Sequence, residues 1–283
     1  MSQPTSSACS IARPLLAELT RRPFAGRVLG AHRRACNLID EAGRILTLAL
    51  PEVGNGPFAI LLDGAPGIFD DLEPRQPARS TGQALTVGQW VITLAGAVVW
   101  EPRLPQPVNP LNLELMIRQV QPYATWPNFD QTTPFDSNMA RLARQAAGQL
   151  AQALTQPQHE TALATAAARL AGLGRGLTPA GDDYLLGVMA ALWLTGRPEP
   201  LATIAKVAGP HTNALSRAFL EAAAHGEFIE PWHALALAWG RQERGAVAQA
   251  VDRIAHFGAS SGRDALAGFA NTLLNRKGVF QMS

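Results

Sequence analysis

Two glycine-bearing segments of this 283-residue chain combine the residue types that small-molecule chemistry uses. The first, Gly172-Leu-Gly-Arg-Gly-Leu-Thr-Pro-Ala-Gly-Asp-Asp-Tyr-Leu-Leu-Gly187, sets Gly172, Gly174 and Gly176 ahead of a helix start. Thr178 is a suitable N-cap, and Pro179 suits the first helical position. A helix that begins beside such a side-chain-poor loop presents unpaired N–H groups, which suits a bound phosphate or carboxylate. Asp182 and Asp183 follow in the first turn, where the helix dipole favours acids. They can be plain helix starters, or they can ligate a divalent cation, accept from a substrate amide, or work as an acid/base pair. Adjacent helical residues point about 100° apart, so only one of the two need face a site.

The second segment, Gly258-Ala-Ser-Ser-Gly-Arg-Asp-Ala-Leu-Ala-Gly268, shares the pattern G-x-D-x-L-x-G with the first. Gly181, Asp183, Leu185 and Gly187 recur as Gly262, Asp264, Leu266 and Gly268, at a constant offset of 81. Hydroxyls sit just upstream in both, Thr178 in one and Ser260 with Ser261 in the other. A duplicated helical unit would bring two helix N-termini, each with an acid in its first turn, to one pocket. Gly187 and Gly268 would allow the close approach, and Leu185 and Leu266 would pack behind. The catalytic candidates are therefore Asp182, Asp183 and Asp264. The binding candidates are Gly174, Arg175, Gly176, Thr178, Gly181, Ser260, Ser261 and Gly262, with Asn37 or Arg33 from the first half closing the pocket. The competing reading makes both segments close helix crossings, with the aspartates as caps.

Other chemistries fit less well. A phosphate-binding P-loop would end in Gly-Lys-Ser/Thr, and a dinucleotide loop would follow a strand, whereas a helical run up to Leu170 precedes this one. The second loop also reads G-x-S-x-G with Ser260 as nucleophile, but that elbow needs a strand before the serine, and AVAQAVDRIAHF is helical. The stretch His211-Thr212-Asn213-Ala214-Leu215-Ser216 starts another helix, with Thr212 as the expected N-cap and Asn213 or Ser216 able to face a pocket. The six histidines are scattered and form no HExxH pair. Cys9 and Cys36 make neither a disulfide framework nor a zinc cluster and are read as free thiols. No metal and no cofactor is expected.

The elements that must hold these loops differ between the two halves. Residues 26–122 carry short apolar runs between turns, such as ACNLID, ILTLAL and FAILLDG, with hairpin residues at Asp40-Glu41-Ala42-Gly43 and again at Ala95-Gly96. This predicts an antiparallel β barrel or sandwich. Residues 1–25 are read as an N-terminal extension and 123–136, rich in Pro, Asn, Asp and Thr, as a linker. Over 137–283 alanine and leucine recur at helical spacing between Gly and Pro stops, which predicts an all-α domain of seven or eight helices, capped at its start by Asp136-Ser137-Asn138. The fold class is α+β, β-rich first and helical second.

Composition bounds the function classes. A chain with 47% hydrophobic and 16% charged residues is ordinary for a folded protein. Its longest apolar runs fall far short of the ~20 residues that span a bilayer, and MSQPTSSACS carries no secretory signal, so a cytoplasmic protein is expected with no membrane partner. The formal charge is +2, with Lys206 and Lys277 the only lysines among 24 basic residues. Without a basic stripe there is no case for nucleic acid.

GLGRGLTPAGDDYLLG and GASSGRDALAG, together with RRACNLIDEAGRILTL, resemble the AllH-like proteins, in the same order and over most of the chain from about Gly26 to Leu274. One branch of that family is linked to the oxamate carbamoyltransferase of anaerobic allantoin breakdown. The resemblance implies a subunit that works beside FdrA-type and AllG-type partners in phosphate-dependent cleavage of oxalurate to oxamate and carbamoyl phosphate. The matching loop residues are Gly174, Gly176, Thr178, Asp182, Asp183, Ser261, Gly262 and Asp264. The chain departs from the family pattern at Arg175, where proline is common, and at Ala180, where serine is common. The small anionic substrate would sit at the two helix N-termini, with Asp183 and Asp264 accepting from its amide. A metal-dependent hydrolase using the three aspartates, or a non-catalytic scaffolding subunit, are the alternatives.

Overall fold

Nine strands form the first part of the computed structural model, which describes residues 5–105, 112–127, 133–155 and 160–276. They are β1 (Thr5–Ala12), β2 (Ala25–His32), β3 (Ala35–Asp40), β4 (Ile45–Ala49), β5 (Ala59–Leu62), β6 (Pro77–Ser80), β7 (Ala84–Val87), β8 (Trp90–Thr93) and β9 (Val98–Trp100), with helix α1 (Arg13–Arg21) after β1. The order β5-β4-β3-β2-β6-β7-β8-β1 closes on itself through a β1–β5 pairing, so eight strands make a barrel. Closure leaves no long free edge to aggregate. The ninth strand lies beyond β8 along the same edge of β1, with Thr5–Ser7 pairing β8 and Ser10–Ala12 pairing β9.

The barrel departs from the sequence expectation in three ways. The pairings β1–β8, β1–β9 and β4–β5 are parallel, not antiparallel. Ala95-Gly96 is a turn, with Gly96 at φ +85°, yet it joins two strands that pair with β1 instead of with each other. Residues 1–25, read as an extension, supply β1 and α1, and residues 1–4 lie outside the described residues. The strand TSSACSIA pairs only with segments far along the chain, so local patterning does not reveal it. Asp40-Glu41-Ala42-Gly43 does turn β3 into β4, held by Arg44 N–H to Asp40 Oδ1 at 2.9 Å and Arg44 Nε to Asp40 Oδ2 at 2.6 Å. Alternate residues Val28, Leu38, Leu46, Leu48, Ile60 and Leu85 fill the barrel, and Leu15 and Leu19 of α1 join the same core. Cys36 is buried among them, and burial pushes its thiol up to about 12. Both cysteines are free thiols.

The second unit begins at Arg103, earlier than the 123–136 linker suggested, and residues 128–132 of that linker lie outside the described residues. Its helices are α2 (Leu113–Val120), α3 (Pro134–Thr155), α4 (Glu160–Leu170), α5 (Ala180–Leu194), α6 (Glu199–Ala208), α7 (Ala214–Ala224), α8 (Glu230–Gly240), α9 (Arg244–Ala255) and α10 (Ser261–Arg276). The boundary shifts because α2 buries Leu115, Met116, Ile117 and Val120 in the helical core. The start of α3 is capped by Thr133, whose Oγ1 accepts from Asp136 N–H at 3.2 Å, not by Asp136-Ser137-Asn138. No helix among the described residues is long and apolar enough to cross a membrane.

Helix α5 is the centre of this unit. Fourteen of its 15 residues are buried, so it is surrounded by other helices and reads as apolar all round. It packs most extensively on α10, and the backbones touch. A Cβ at Gly187 would stand 1.7 Å from Ala265 O, and one at Gly268 would stand 2.0 Å from Tyr184 O. Tyr184 and Ala265 are themselves 81 positions apart, so the crossing is two-fold symmetric in sequence as well as in space.

This geometry predicts that Gly187→Ala lowers the melting temperature by about 5 °C or more, because the new methyl must separate two buried helices, an overpacking cost of roughly 1–3 kcal/mol. Gly148→Ala in α3 meets nothing within 4 Å and should raise stability by about 0.5–1 kcal/mol. A Gly187→Ala protein that melts with the wild type would show that the crossing tolerates a side chain.

Candidate functional site

Local sequence determines how both loops enter their helices. Gly172, Gly174 and Gly176 have φ of +72°, +116° and +102°, a left-handed conformation that side chains disfavour. Gly181 N–H donates to Leu173 O at 2.8 Å, and the N–H groups of Asp182 and Asp183 donate to Pro179 O. In the second copy Gly262 N–H donates to Phe257 O at 3.0 Å, and those of Arg263 and Asp264 to Ser260 O. The two helix starts are thus built alike. The same bonds correct the anion expectation at these positions, because six of the N–H groups that would hold a phosphate are already satisfied within the protein.

The residues singled out in the sequence take separate roles. Asp182 is fully buried, its Oδ1 accepting from Gly172 N–H at 2.9 Å and its Oδ2 from the Thr212 hydroxyl. It ties the glycine loop to the turn before α7. Thr212 therefore serves Asp182 and does not cap α7; Asn213 caps it, with Oδ1 accepting from Ser216 N–H at 3.0 Å. Thr178 likewise does not cap α5, whose N-cap is Pro179. Its hydroxyl instead pairs with the Ser261 hydroxyl of α10 at 2.8 Å. That contact joins the two helix starts. Ser260 lies on the exposed turn ahead of α10, and the exposed Arg175 pairs with Asp136 at 3.1 Å. Asn37 sits in β3, where its Oδ1 accepts from the Thr47 hydroxyl at 2.7 Å.

Asp183 points the other way from Asp182. It is 4% exposed, and its Oδ2 has no hydrogen-bond partner. It lines a cavity of about 60 Å³ together with Thr178, Ser261 and Gly262. Apart from Glu227 the rest of the lining is apolar, with Phe219, Phe228, Trp232, Ile254 and Phe257 among it. Sequence reasoning missed this aromatic lining, since its members come from loops and helices dispersed along the chain and each looks like a packing residue alone.

Burial pushes the Asp183 carboxyl up to about 8, the hydroxyls of Ser261 and Thr178 opposing and the charges of Asp264 and Asp182 adding to the rise. Asp264 is pushed up to about 6 by burial, opposed by the Trp126 indole and Ser260. Trp126 Nε1 donates to Asp264 Oδ1 at 2.8 Å and its ring lies 4.3 Å from that of Tyr184. Asp264 faces Trp126 and is not among the residues lining the cavity, so the two repeated acids are close enough to interact but differ in surroundings. Two neighbouring buried carboxylates disfavour double ionisation, and the stronger desolvation of Asp183 favours its neutral form.

A cation would need several free ligands. Both Asp182 oxygens are engaged, and no cluster of three or more His, Cys, Asp and Glu suited to a metal occurs among the described residues. The donor set does not fit a metal held by the three aspartates.

Residues 7–99 match the family model described as the AllH family N-terminal domain. Residues 170–273, which include both glycine loops, match the model described as oxamate carbamoyltransferase subunit AllH. No solved structure matches the chain.

A carboxyl whose folded value is raised contributes stability that is complete below the ordinary carboxylate range and is lost as pH climbs through the folded value. Asp183→Asn, which cannot ionise, should therefore melt close to the wild type near pH ~4–5 and above it at pH ~8, the gap growing to a few kcal/mol across that window. A gap that does not change with pH would mean that Asp183 is ionised throughout.

Proposed function

The chain belongs to the AllH family, and on that footing we propose that it works as a subunit of an oxamate carbamoyltransferase whose reacting carbonyl binds at Asp183. The reaction is phosphate-dependent cleavage of oxalurate to oxamate and carbamoyl phosphate, a step of allantoin breakdown suited to the cytoplasm. The observation that carries the reading is one buried carboxyl with an unpartnered oxygen in a cavity where two helix starts meet, its value pushed up by burial toward the neutral form.

An oxygen of hydrogen phosphate bonds to the ureido carbonyl carbon, and the carbon–nitrogen bond to the oxamate portion breaks. The proton carried by hydrogen phosphate ends on the departing nitrogen, giving the amide of oxamate, so atoms and charge balance. In between, negative charge collects on the carbonyl oxygen. A neutral carboxyl can donate to that oxygen where an ionised one would repel it, and the apolar wall keeps water from competing. Asp183 is the catalytic residue in this reading, and Asp264 acts through it, its charge helping to keep the Asp183 proton in place. The charged ends of the substrates fall to groups beyond the cavity, with Arg175 of the glycine loop and partner subunits of FdrA and AllG type as the sources.

In the assembled enzyme, Asp183→Leu should lower kcat by about 10²–10³-fold, the range for loss of one donor to a developing oxyanion. The wild-type rate should fall above pH ~8 as the donor is lost, whereas Asp183→Asn, which keeps a weaker donor, should give a smaller loss in kcat and no such fall. Carbamoyl transfer at the wild-type rate by either variant would overturn the assignment; should the leucine variant not fold, the pH profile of the asparagine variant decides it.

A further inference from the structure

We infer that the cavity between the starts of α5 and α10 is a recognition site for an uncharged primary carboxamide or urea head, an amino group carried on a carbonyl carbon, and that it rejects small anions. The inference rests on the preceding reading only for the identity of the physiological ligand, since oxalurate, oxamate and carbamoyl phosphate all carry that head. Its physical basis is independent of the reaction.

Charge comes first. None of the described residues lining the cavity is Lys, Arg or His, and the ionisable ones are Asp183 and Glu227. A phosphate or carboxylate held there would be desolvated against a largely apolar lining that carries no cation of its own among the described residues, which disfavours it. The helix starts supply little of the missing positive charge, because the N–H groups of Gly181, Asp182, Asp183, Gly262, Arg263 and Asp264 are engaged.

Hydrogen bonding then selects the neutral head. The Asp183 carboxyl offers an O–H to a carbonyl oxygen through an atom that nothing in the protein satisfies. Beside it the Thr178 and Ser261 hydroxyls share one hydrogen bond at 2.8 Å, which leaves lone pairs to accept from the ligand's N–H. A buried unpartnered polar atom is costly, so it is best explained by a group that completes it. Size agrees. A water needs roughly 10–15 Å³ of such space, so about 60 Å³ accommodates roughly four to six small heavy atoms. That matches the head and excludes most of a longer substrate, whose anionic tail must lie outside.

Binding is therefore linked to a proton. The charges that raise Asp183 are those of Asp264 of α10 and Asp182 of α5, while the Ser261 and Thr178 hydroxyls oppose them; Glu227, before α8, is the other ionisable residue of the lining. Affinity should be level below pH ~8 and should fall about tenfold per unit above it, as the donor is lost.

The test titrates the full chain with propionamide and urea, and separately with acetate and inorganic phosphate, by chemical-shift perturbation or calorimetry at pH ~6.5 and ~9.5, either side of the Asp183 titration. Propionamide and urea should bind at the lower pH and weaken at least tenfold at the higher, while acetate and phosphate produce no saturable signal at this site. Asp183→Leu should lose amide binding, and Asp183→Asn should bind with no pH dependence. Saturable phosphate or acetate binding that Asp183→Leu removes, or amide binding that survives Asp183→Leu, would overturn the inference. Amide binding with the stated pH dependence, combined with unimpaired carbamoyl transfer by the Asp183 variants, would leave the inference standing and remove the proposed catalytic role.

Discussion

The helical unit depends on one constraint, the backbone contact between α5 and α10. With carbonyls of one helix occupying the space where a side chain of the other would stand, only glycine fits at positions 187 and 268. Two further glycines extend the constraint to the helix starts. A Cβ at Gly181 would lie 1.9 Å from Leu170 O, and one at Gly262 would lie 1.7 Å from Ile254 O, so each helix also abuts the end of the helix before it. Close approach at both the crossing and the starts draws the first turns together until Thr178 touches Ser261.

That approach decides the chemistry of the acids. In the first turn of an exposed helix the dipole would favour the charged form of Asp183 by about 0.3–1 kcal/mol. Burial at the crossing acts in the opposite direction, and a rise from the usual carboxylate range to about 8 corresponds to on the order of 5 kcal/mol. Desolvation wins by several-fold. The neighbouring Asp182 is as deeply buried, yet both its oxygens are hydrogen-bonded, and it serves as a brace for the glycine loop. Two adjacent acids of the same type thus divide into a structural group and a reactive one according to the roughly 100° that separates them around the helix.

The repeat is faithful in backbone and unequal in function. Both copies direct first-turn N–H groups to the residue before or at the helix start, Pro179 and Ser260. The side chains then diverge, Asp183 opening on an aromatic-walled cavity and Asp264 accepting from Trp126. Tyr184 carries this asymmetry inward. Its hydroxyl is buried, pushed up to about 12, and accepts from Asn271 Nδ2 at 3.2 Å, while its ring packs on Trp126. The position equivalent to Tyr184 is Ala265, whose small side chain lines the cavity.

The amino-acid sequence by itself determined the α+β class, the order of its parts, and the two glycine segments with their shared spacing. These follow from periodicity, turn residues and identity at fixed offset, which are local properties. It also pointed to the close approach at Gly187 and Gly268, because a helix interior rarely tolerates glycine without a packing reason. Only the tertiary structure decided that TSSACSIA completes a barrel, since its partners β5, β8 and β9 lie far along the chain. It decided equally that Thr178 and Thr212 bond to Ser261 and Asp182 in place of capping their own helices, that six of the helix-start N–H groups are engaged, and that aromatic residues share a cavity with Asp183. Each of these depends on segments distant in the chain competing for the same hydrogen-bonding groups and the same space, and that competition is resolved only when the helices pack.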